Sequence, residues 1–323
     1  MSRPDPKEIL ALYEPRHPTL SALGFLALWI LVLSLPMWAG KLLAGPWSDM
    51  YATGFAWRVW IPEQWKAAGH IPLWNPLTFG GMPLVAGMHG DLFYPTAWLR
   101  LILPAVTAVN LGFAVHYLLA GLFLYWLLRD VGISWTGSLT GALSYQLSGV
   151  VLSLTSPGHD GKLFVTALFP LALLALFRAF RSGRLEYFGL LAVTVGLAAL
   201  SPHFQMLYYM LVAAGIFALY LAFGEPDRPA LRRGAMLLGL ALGAVVLGFG
   251  IAAIQLVPFF EYIPFSPRAE SYYGYQGAIT WAIPWSHVPE FFLADFVGSH
   301  GHYWGTNAGK LHSEYLGLPV VAL

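Results

Sequence analysis

Apolar runs separated by short polar breaks dominate the chain, and their lengths predict a bundle of membrane-spanning helices. Crossing about 30 Å of hydrocarbon at about 1.5 Å per residue takes about 20 apolar residues. Seven runs meet or approach this length, at residues 19–40, 106–128, 135–154, 163–180, 187–200, 204–223 and 234–260. An eighth run begins at Glu314 and is still apolar at Leu323, so we expect the N-terminal part of a longer protein.

Composition supports the same fold class. Hydrophobic residues make up 58% of the 323 residues and charged residues 10%, and the mean hydropathy is +0.63. These values lie outside the range of soluble domains. A formal net charge of +1 gives no indication of nucleic acid as a partner, and the absence of cysteine excludes disulfides and thiolate metal sites. The sequence therefore predicts an all-α polytopic membrane protein.

The distribution of Arg and Lys predicts the orientation. Residues 1–18 are polar and precede a run long enough to span, so we interpret them as a cytoplasmic tail rather than a signal peptide. With this tail inside, the short inside connections are densely basic, as in Arg-Ser-Gly-Arg at 181–184, which fits the positive-inside rule. The polar connections 41–104, 155–162, 201–203 and 261–313 then share the extracytoplasmic side. We predict that the chemistry takes place there.

The first outer loop, 41–104, is far longer than a helix hairpin needs. Asp49 lies just past the first run, where partial desolvation favours proton uptake by a carboxylate, so it is a candidate catalytic residue. The alternative is that Ser48 or Asp49 only caps a helix over residues 50–68. This helix is rich in Trp and is predicted to lie in the membrane interface.

Turn-forming residues follow this helix. Gly69-His-Ile-Pro-Leu-Trp-Asn-Pro and Phe79-Gly-Gly-Met-Pro favour rigid, non-helical backbone, and we interpret them as the wall of a cavity. Trp74 and Asn75 are therefore candidate substrate contacts. His89 and Asp91 are kept as supporting contacts, because a His-x-Asp pair is a weak metal motif and is more typical of a hydrogen-bonded surface pair. No strong motif supports a divalent metal cofactor.

The other outer connections add four candidate substrate contacts. His159 and Lys162 lie in Ser-Pro-Gly-His-Asp-Gly-Lys, and a cation at the mouth of a run suits a lipid phosphate. His203 lies in the next outer turn. Arg268 is a candidate phosphate clamp, because a guanidinium is always charged and forks onto oxyanions. For His159, Lys162 and His203 the alternative is a polar group that is simply solvated at a helix end.

Several of these motifs resemble those of a known family. A long first outer loop with an acid just past the first span resembles the GT-C superfamily of membrane glycosyltransferases. More narrowly, the two turn motifs, Phe93-Tyr-Pro, Gly158-His-Asp-Gly-Lys and Glu314-Tyr-Leu-Gly are similar to the bacterial YfhO-type membrane proteins. The resemblance covers nearly the whole chain. It implies a GT-C-like transmembrane helix bundle over residues 19–323, with interfacial helices in the long first extracytoplasmic loop, in the bacterial cytoplasmic membrane.

The resemblance also implies a reaction, the transfer of a sugar from a polyprenyl-phosphate donor to an extracytoplasmic acceptor (an envelope polymer, a glycolipid or a protein). Asp49 is then the general base, and Lys162 and Arg268 neutralise the departing phosphate. His159 and His203 are lesser polar contacts. Many GT-C enzymes have paired acids in the first loop, whereas the next acid after Asp49 is Glu63. This departure argues against a paired-acid or metal-bridged mechanism.

Two other functions remain open, a lipid-linked sugar transporter or flippase and a non-catalytic membrane protein of envelope assembly. Transport requires polar groups at mid-membrane. The runs contain few, such as His116, Gln146 and Gln255, and these are typical of hydrogen bonds between helices. The sequence does not exclude an assembly role.

Overall fold

The computed structural model describes residues 14–88, 90–266, 274–279, 281–299, 302–307 and 310–317. Nine helices of ten or more residues lie in these ranges: α1 (Pro18–Leu33), α2 (Phe55–Ala68), α3 (Ala105–Asp130), α4 (Trp135–Gln146), α5 (Asp160–Ser182), α6 (Leu185–Leu200), α7 (Phe204–Leu219), α8 (Leu231–Ile251) and α9 (Ala253–Tyr262). Shorter helical turns cover Leu35–Trp38, Met50–Gly54, Pro95–Leu101, Gly149–Leu152, Ser153–Thr155, Tyr220–Gly224, Ile263–Phe265, Tyr275–Ile279 and Trp285–Phe291. The strands of the described residues, β1 (Trp74–Asn75) and β2 (Met82–Pro83), form one antiparallel hairpin.

Four helices of the described residues are long and apolar enough to cross a membrane. They are α3, α5, α8 and α7 with its π-helical extension, Phe204–Gly224. Shorter apolar helices are Pro18–Leu33, Leu185–Leu200 and Ala253–Phe265. The prediction of an all-α membrane protein is confirmed, and so is the predicted helix of the first loop, which begins as a π-helical turn at Met50 and continues as α2 to Ala68.

Four predicted runs differ from the structure. The run 19–40 is interrupted at Ser34, between α1 and the short helical turn Leu35–Trp38. The run 135–154 is broken, because α4 ends at Gln146 and Ser148 starts a new turn, accepting a hydrogen bond from the N–H of Val151 at 3.3 Å. The run 234–260 is divided at Ala252, whose φ of −86° and ψ of 1° leave the helical region. The run predicted from Glu314 is not helical over 314–317, and its remainder lies outside the described residues.

The largest buried cluster lies between α5, α6, α7 and α8, where small residues allow close packing. A Cβ added to Gly248 of α8 would lie 2.8 Å from the carbonyl oxygen of Ala192 in α6. In α5, the residues Ala172, Ala175 and Ala179 are fully buried. This tight bundle supplies rigid helix ends on which loops can place side chains.

The loop 41–104 folds onto one end of the bundle, which we call the site end. Asn110 of α3 is fully buried, accepts a hydrogen bond from the N–H of Leu43 and donates one to the carbonyl of Lys41, both at 2.8 Å. The loop has a small core of its own, formed by Ile61, Leu84 and Leu92 with tryptophans of α2. The long loop is therefore a compact layer over the amino-terminal ends of α3 and α5.

Candidate functional site

At the start of the first loop, Ser48 caps a helix and Asp49 contacts a histidine. The Ser48 Oγ accepts a hydrogen bond from the N–H of Tyr51 at 3.2 Å, whereas the Asp49 side chain makes no capping hydrogen bond. The Asp49 Oδ2 lies instead 3.0 Å from the Nε2 of His159. The Asp49 side chain is 70% exposed, so its carboxylate is open to a ligand. Of the two capping residues considered from the sequence, the structure selects Ser48.

Close backbone contact brings Asp49 and His159 together across 110 residues of chain. The N–H of Asp49 donates to the carbonyl of Pro157 at 3.1 Å, and the N–H of Gly45 donates to that of Ser156 at 2.6 Å. Gly158 has a φ of +74°, and a Cβ added there would lie 2.3 Å from the Cβ of Met50. Only glycine fits this approach, because any side chain would push the two segments apart.

The first turns of α5 and α7 bring in Lys162 and His203. Lys162 lies one turn after His159, within electrostatic reach of the Asp49 carboxylate. The Ser201 Oγ donates to the carbonyl of Gly161 at 2.8 Å, which joins the α6–α7 turn to the start of α5. The Nδ1 of His203 accepts from the N–H of Met206 at 3.4 Å, so a neutral His203 carries its proton on Nε2. The structure thus brings four predicted site residues into one cluster.

Three residues that the sequence analysis did not select as site residues complete this cluster. Lys310, His312 and Glu314 lie on segment 310–317, which is neither helix nor strand. The ring centroid of His312 is 6.1 Å from that of His159. The Lys310 Nζ lies 2.7 Å from an oxygen of Glu290 and 2.7 Å from one of Glu314. The alternating Lys-x-His-x-Glu pattern was the signal available in the sequence.

Hydrogen bonds tie this segment to the bundle. The N–H of Ser313 donates to the Oγ of Ser153 at 2.9 Å, and the N–H of Leu316 donates to the carbonyl of Phe291 at 3.2 Å. A Cβ added to Gly149 would lie 3.0 Å from the carbonyl oxygen of Tyr315. Segment 310–317 therefore packs against the backbone that follows the break after α4.

Burial and charge keep the three histidines neutral near pH 7. Burial lowers the pKa of His203 and that of His312 to about 4, and the charge of Lys162 is the next cause in both. Burial and Lys162 also lower the pKa of His159, against the opposing hydrogen bond to Asp49. A neutral His159 donates its Nε2–H to Asp49, and its buried Nδ1 has no hydrogen-bond partner among the described residues. The cluster combines an exposed carboxylate, neutral imidazoles and an ammonium group.

Asp91 lies behind the cluster in a buried ion-pair network. It is 2% exposed, and its Oδ1 lies 2.8 Å from Arg100 Nη2 and 3.8 Å from Arg58 Nε. Arg58 also pairs with Asp160. Burial raises the pKa of Asp91, but the guanidinium groups of Arg100 and Arg58 outweigh it and hold the pKa below its ordinary value. Asp91 is sequestered by these arginines and is not open to a substrate, and it is not the surface residue that the sequence suggested.

Trp74 and Asn75 lie in the β-hairpin and not in the cluster. The Oδ1 of Asn75 accepts from the N–H of Leu77 at 2.9 Å and its Nδ2 donates to Thr78 Oγ1 at 3.2 Å, so this side chain shapes the turn. A Cβ added to Gly81 would lie 2.7 Å from the indole Nε1 of Trp74. The two other predicted contacts, His89 and Arg268, lie outside the described residues. Among the described residues, no group of three or more His, Asp or Glu side chains could hold a metal ion.

An apolar groove of about 1110 Å³ lies between α4, α5 and α7. Its lining includes Val165 and Phe169 of α5 and Met210 of α7. At the site end it reaches Met206, whose N–H bonds His203, and Leu316, two residues beyond Glu314. The groove therefore runs between these helices to the edge of the cluster.

No family model and no curated protein matches the chain. The structure is similar to the apo crystal structure of the oligosaccharyltransferase of Archaeoglobus fulgidus, with 16% sequence identity and a TM-score of 0.44. The similarity covers 84% of this chain and 38% of that chain. This chain thus spans well under half the length of that protein, and a likeness so distant carries no inference of its own.

Proposed function

We propose that the chain is the membrane part of a glycosyltransferase that moves a sugar from a polyprenyl-phosphate donor to an extracytoplasmic acceptor. The observation that carries the proposal is the exposed Asp49 carboxylate, 3.0 Å from His159 and beside Lys162, where an apolar groove reaches the cluster. A general base must be open to the acceptor hydroxyl, and a departing phosphate needs a nearby cation. Both conditions are met within one cluster.

The reaction assigns a role to each group. Asp49 removes the proton of the acceptor hydroxyl while the oxygen of that hydroxyl bonds to the anomeric carbon. The bond from that carbon to the phosphate oxygen breaks, and the polyprenyl phosphate leaves with the electron pair. Lys162 stabilises the negative charge of this leaving group. The Nε2–H of His159 fixes the direction of the carboxylate, and the Nε2–H of His203 is available as a further donor to the phosphate.

The groove suits the lipid part of such a donor. A prenyl chain has no polar group to satisfy, so burying it against Val165, Phe169 and Met210 removes apolar surface at no hydrogen-bond cost. We place the site end on the extracytoplasmic side of a bacterial cytoplasmic membrane, because Arg178, Arg181 and Arg184 gather at the other end of α5.

The transporter alternative has less support from the described residues. His116 of α3 bonds the Tyr94 hydroxyl at 2.8 Å and the Gly112 carbonyl at 2.6 Å. The Gln146 Nε2 donates to the Tyr117 carbonyl at 3.1 Å, which joins α4 to α3. These polar side chains serve packing within the protein rather than a path through the bilayer. A non-catalytic assembly role requires that Asp49 be dispensable.

The substitution Asp49→Asn tests the proposal. The amide keeps the shape of the side chain but accepts no proton, so we expect sugar transfer to fall by about 100-fold or more. Turnover is measured as the loss of labelled sugar from the donor. The donors are a panel of polyprenyl-phosphate hexoses and pentoses, added to membranes that contain the full-length protein. Glu63→Gln, at an exposed acid of α2 outside the cluster, is the matched control and should keep normal turnover.

Protein level and membrane insertion are measured for both variants. Full turnover by Asp49→Asn would show that this carboxylate is not the base and would favour the assembly role. Turnover of none of the donors by the unmodified protein would contradict the proposed reaction.

A further inference from the structure

A buried network of four charged side chains lies behind the candidate site and takes no part in the proposed chemistry. Arg58 of α2 pairs with Asp160 at the start of α5, and Arg100 pairs with Asp91. Arg58 is 6% exposed, Arg100 7% and Asp91 2%. Two cations and two anions make the network neutral, so removing one member leaves an uncompensated buried charge, whereas removing one cation with one anion does not.

Each member of the Arg58–Asp160 pair lies near one member of the Asp49–His159 pair in the chain. Asp160 directly follows His159. The Nη1 of Arg58 donates to the carbonyl of Gly54 at 3.0 Å, and Gly54 ends the π-helical turn that begins immediately after Asp49. The ion pair therefore joins the segment that bears the carboxylate to the segment that bears the imidazole.

Among the described residues, little besides His159 fixes the direction of the Asp49 carboxylate. The Asp49 side chain is mostly exposed, and its Oδ2 is hydrogen-bonded to the Nε2 of His159. A short π-helical turn such as Met50–Gly54 is an uncommon backbone form that is frequent at functional sites. A small shift of α2 would thus change the separation of Asp49 and His159 directly.

We propose that Arg58 and Asp160 are positioning residues, whose ion pair sets the separation of Asp49 and His159, with Arg100 and Asp91 as the backing pair that holds Arg58. The kinetic consequence of this inference rests on the proposed function. The structural consequence does not, because it concerns only how the loop docks on the start of α5.

Cysteine cross-linking gives a readout that is independent of activity. The chain has no cysteine, so introduced pairs react without background. A Cβ added to Gly45 would lie 3.0 Å from the Ser156 Oγ, which is close enough for a disulfide between Gly45→Cys and Ser156→Cys. We expect this pair to form readily in the full-length protein and about fivefold or more slowly when Arg58→Gln is added. The double change Arg58→Gln with Asp160→Asn should stay about as slow, because it leaves the network neutral but still lacks the ion pair that joins the two segments.

The kinetic arm follows donor turnover in the same variants without the cysteines. We expect Arg58→Gln to lower kcat by about 10- to 100-fold with little change in KM for the lipid donor, because misplacement of the base affects the transition state more than donor binding. The double variant should stay about as impaired, although its buried network is neutral. Arg184→Gln, which removes an exposed ion pair with Glu186 at the other end of the bundle, is the control.

Thermal unfolding in detergent establishes that each variant is folded. If Arg58→Gln does not fold, Arg58→Lys takes its place, because it keeps the charge but loses the planar fork that reaches both carboxylates. Unchanged cross-linking in a folded single variant, or a double variant that recovers the normal rate, would overturn the positioning role. If the unmodified protein turns over no donor, the proposed function fails while the cross-linking arm still decides this inference.

Discussion

At the scale of single residues, the free carboxylate of Asp49 depends on its neighbour. An N-cap needs an oxygen acceptor, and the Ser48 hydroxyl supplies it to the N–H of Tyr51. The Asp49 carboxylate therefore does not cap the helix and hydrogen-bonds to His159 instead. A neutral His159 offers one N–H, so the pair consists of a hydrogen-bond donor and an acceptor open on its other side.

The contact of Gly158 with Met50 gives the first prediction at this scale. Gly158→Ala places a Cβ 2.3 Å from the Met50 Cβ at a φ of +74°, so we expect loss of donor turnover and a lower free energy of unfolding. Gly69→Ala is the control, because Gly69 has the same φ of +74° but nothing within 4 Å of its added Cβ. The strained backbone costs about 1 kcal/mol in both, and overpacking costs about 1–3 kcal/mol more at Gly158 alone. Equal unfolding temperatures of the two variants would contradict this contact.

The low pKa of His203 gives a pH dependence of stability. The folded protein takes up a proton there at about pH 4, whereas an unfolded chain does so near the ordinary value of 6.5. Between these values the unfolded state binds more protons, so the free energy of unfolding falls as the pH falls through this window and is fully restored above it. His203→Asn keeps a capping acceptor and should remove about 1 kcal/mol of this acid sensitivity, after allowance for solvent screening.

Thermal unfolding in detergent at about pH 5 and about pH 7.5 measures this difference. His70→Asn, at an exposed histidine of the loop 41–104, should leave this difference unchanged. An equal loss of stability on acidification in His203→Asn and in the unmodified protein would contradict the burial of a neutral imidazole.

At the scale of elements, the apolar runs predicted where helices lie but not where they break. The spacing of apolar residues continues past Gln146, yet the Ser148 hydroxyl accepts from the N–H of Val151 and donates to the carbonyl of Tyr145. Local hydrogen bonds of this kind compete with the helix ladder and do not change hydropathy. The break matters because it makes room for segment 310–317, which brings Lys310, His312 and Glu314 to the cluster.

At the scale of the whole molecule, the groove ends beside the cluster, at Met206 and Leu316. The groove is walled by three helices, and two of these, α5 and α7, begin at site residues. A lipid-linked donor with its chain in the groove would therefore present its phosphate near Lys162. This arrangement connects the membrane part of the fold to the proposed chemistry.

Narrowing the groove should discriminate between donors by the length of their lipid. Thr140 of α4 is exposed and lines the groove, so Thr140→Trp should raise KM for a long polyprenyl donor by about tenfold and leave a C15 donor nearly unaffected. Val193→Trp, at an exposed position of α6 away from the groove, is the matched control. Equal effects of Thr140→Trp on both donors would argue that the lipid lies elsewhere.

The sequence by itself determined the membrane class, most helix positions and the gathering of Asp49, His159, Lys162 and His203 at one end of the bundle. These follow from local properties, namely hydropathy over about 20 residues and polar residues at the ends of apolar runs. It also suggested Asp91 as a surface contact, although burial beside Arg58 and Arg100 depends on distant segments.

Only the tertiary structure decided which polar groups meet. The Asp49–His159 contact spans 110 residues, and it depends on Gly158 admitting Met50 and on an ion pair between α2 and α5. Neither condition leaves a periodic signal in the chain. The long loop was therefore recognisable from its length alone, whereas its chemistry came from the helix ends against which it packs.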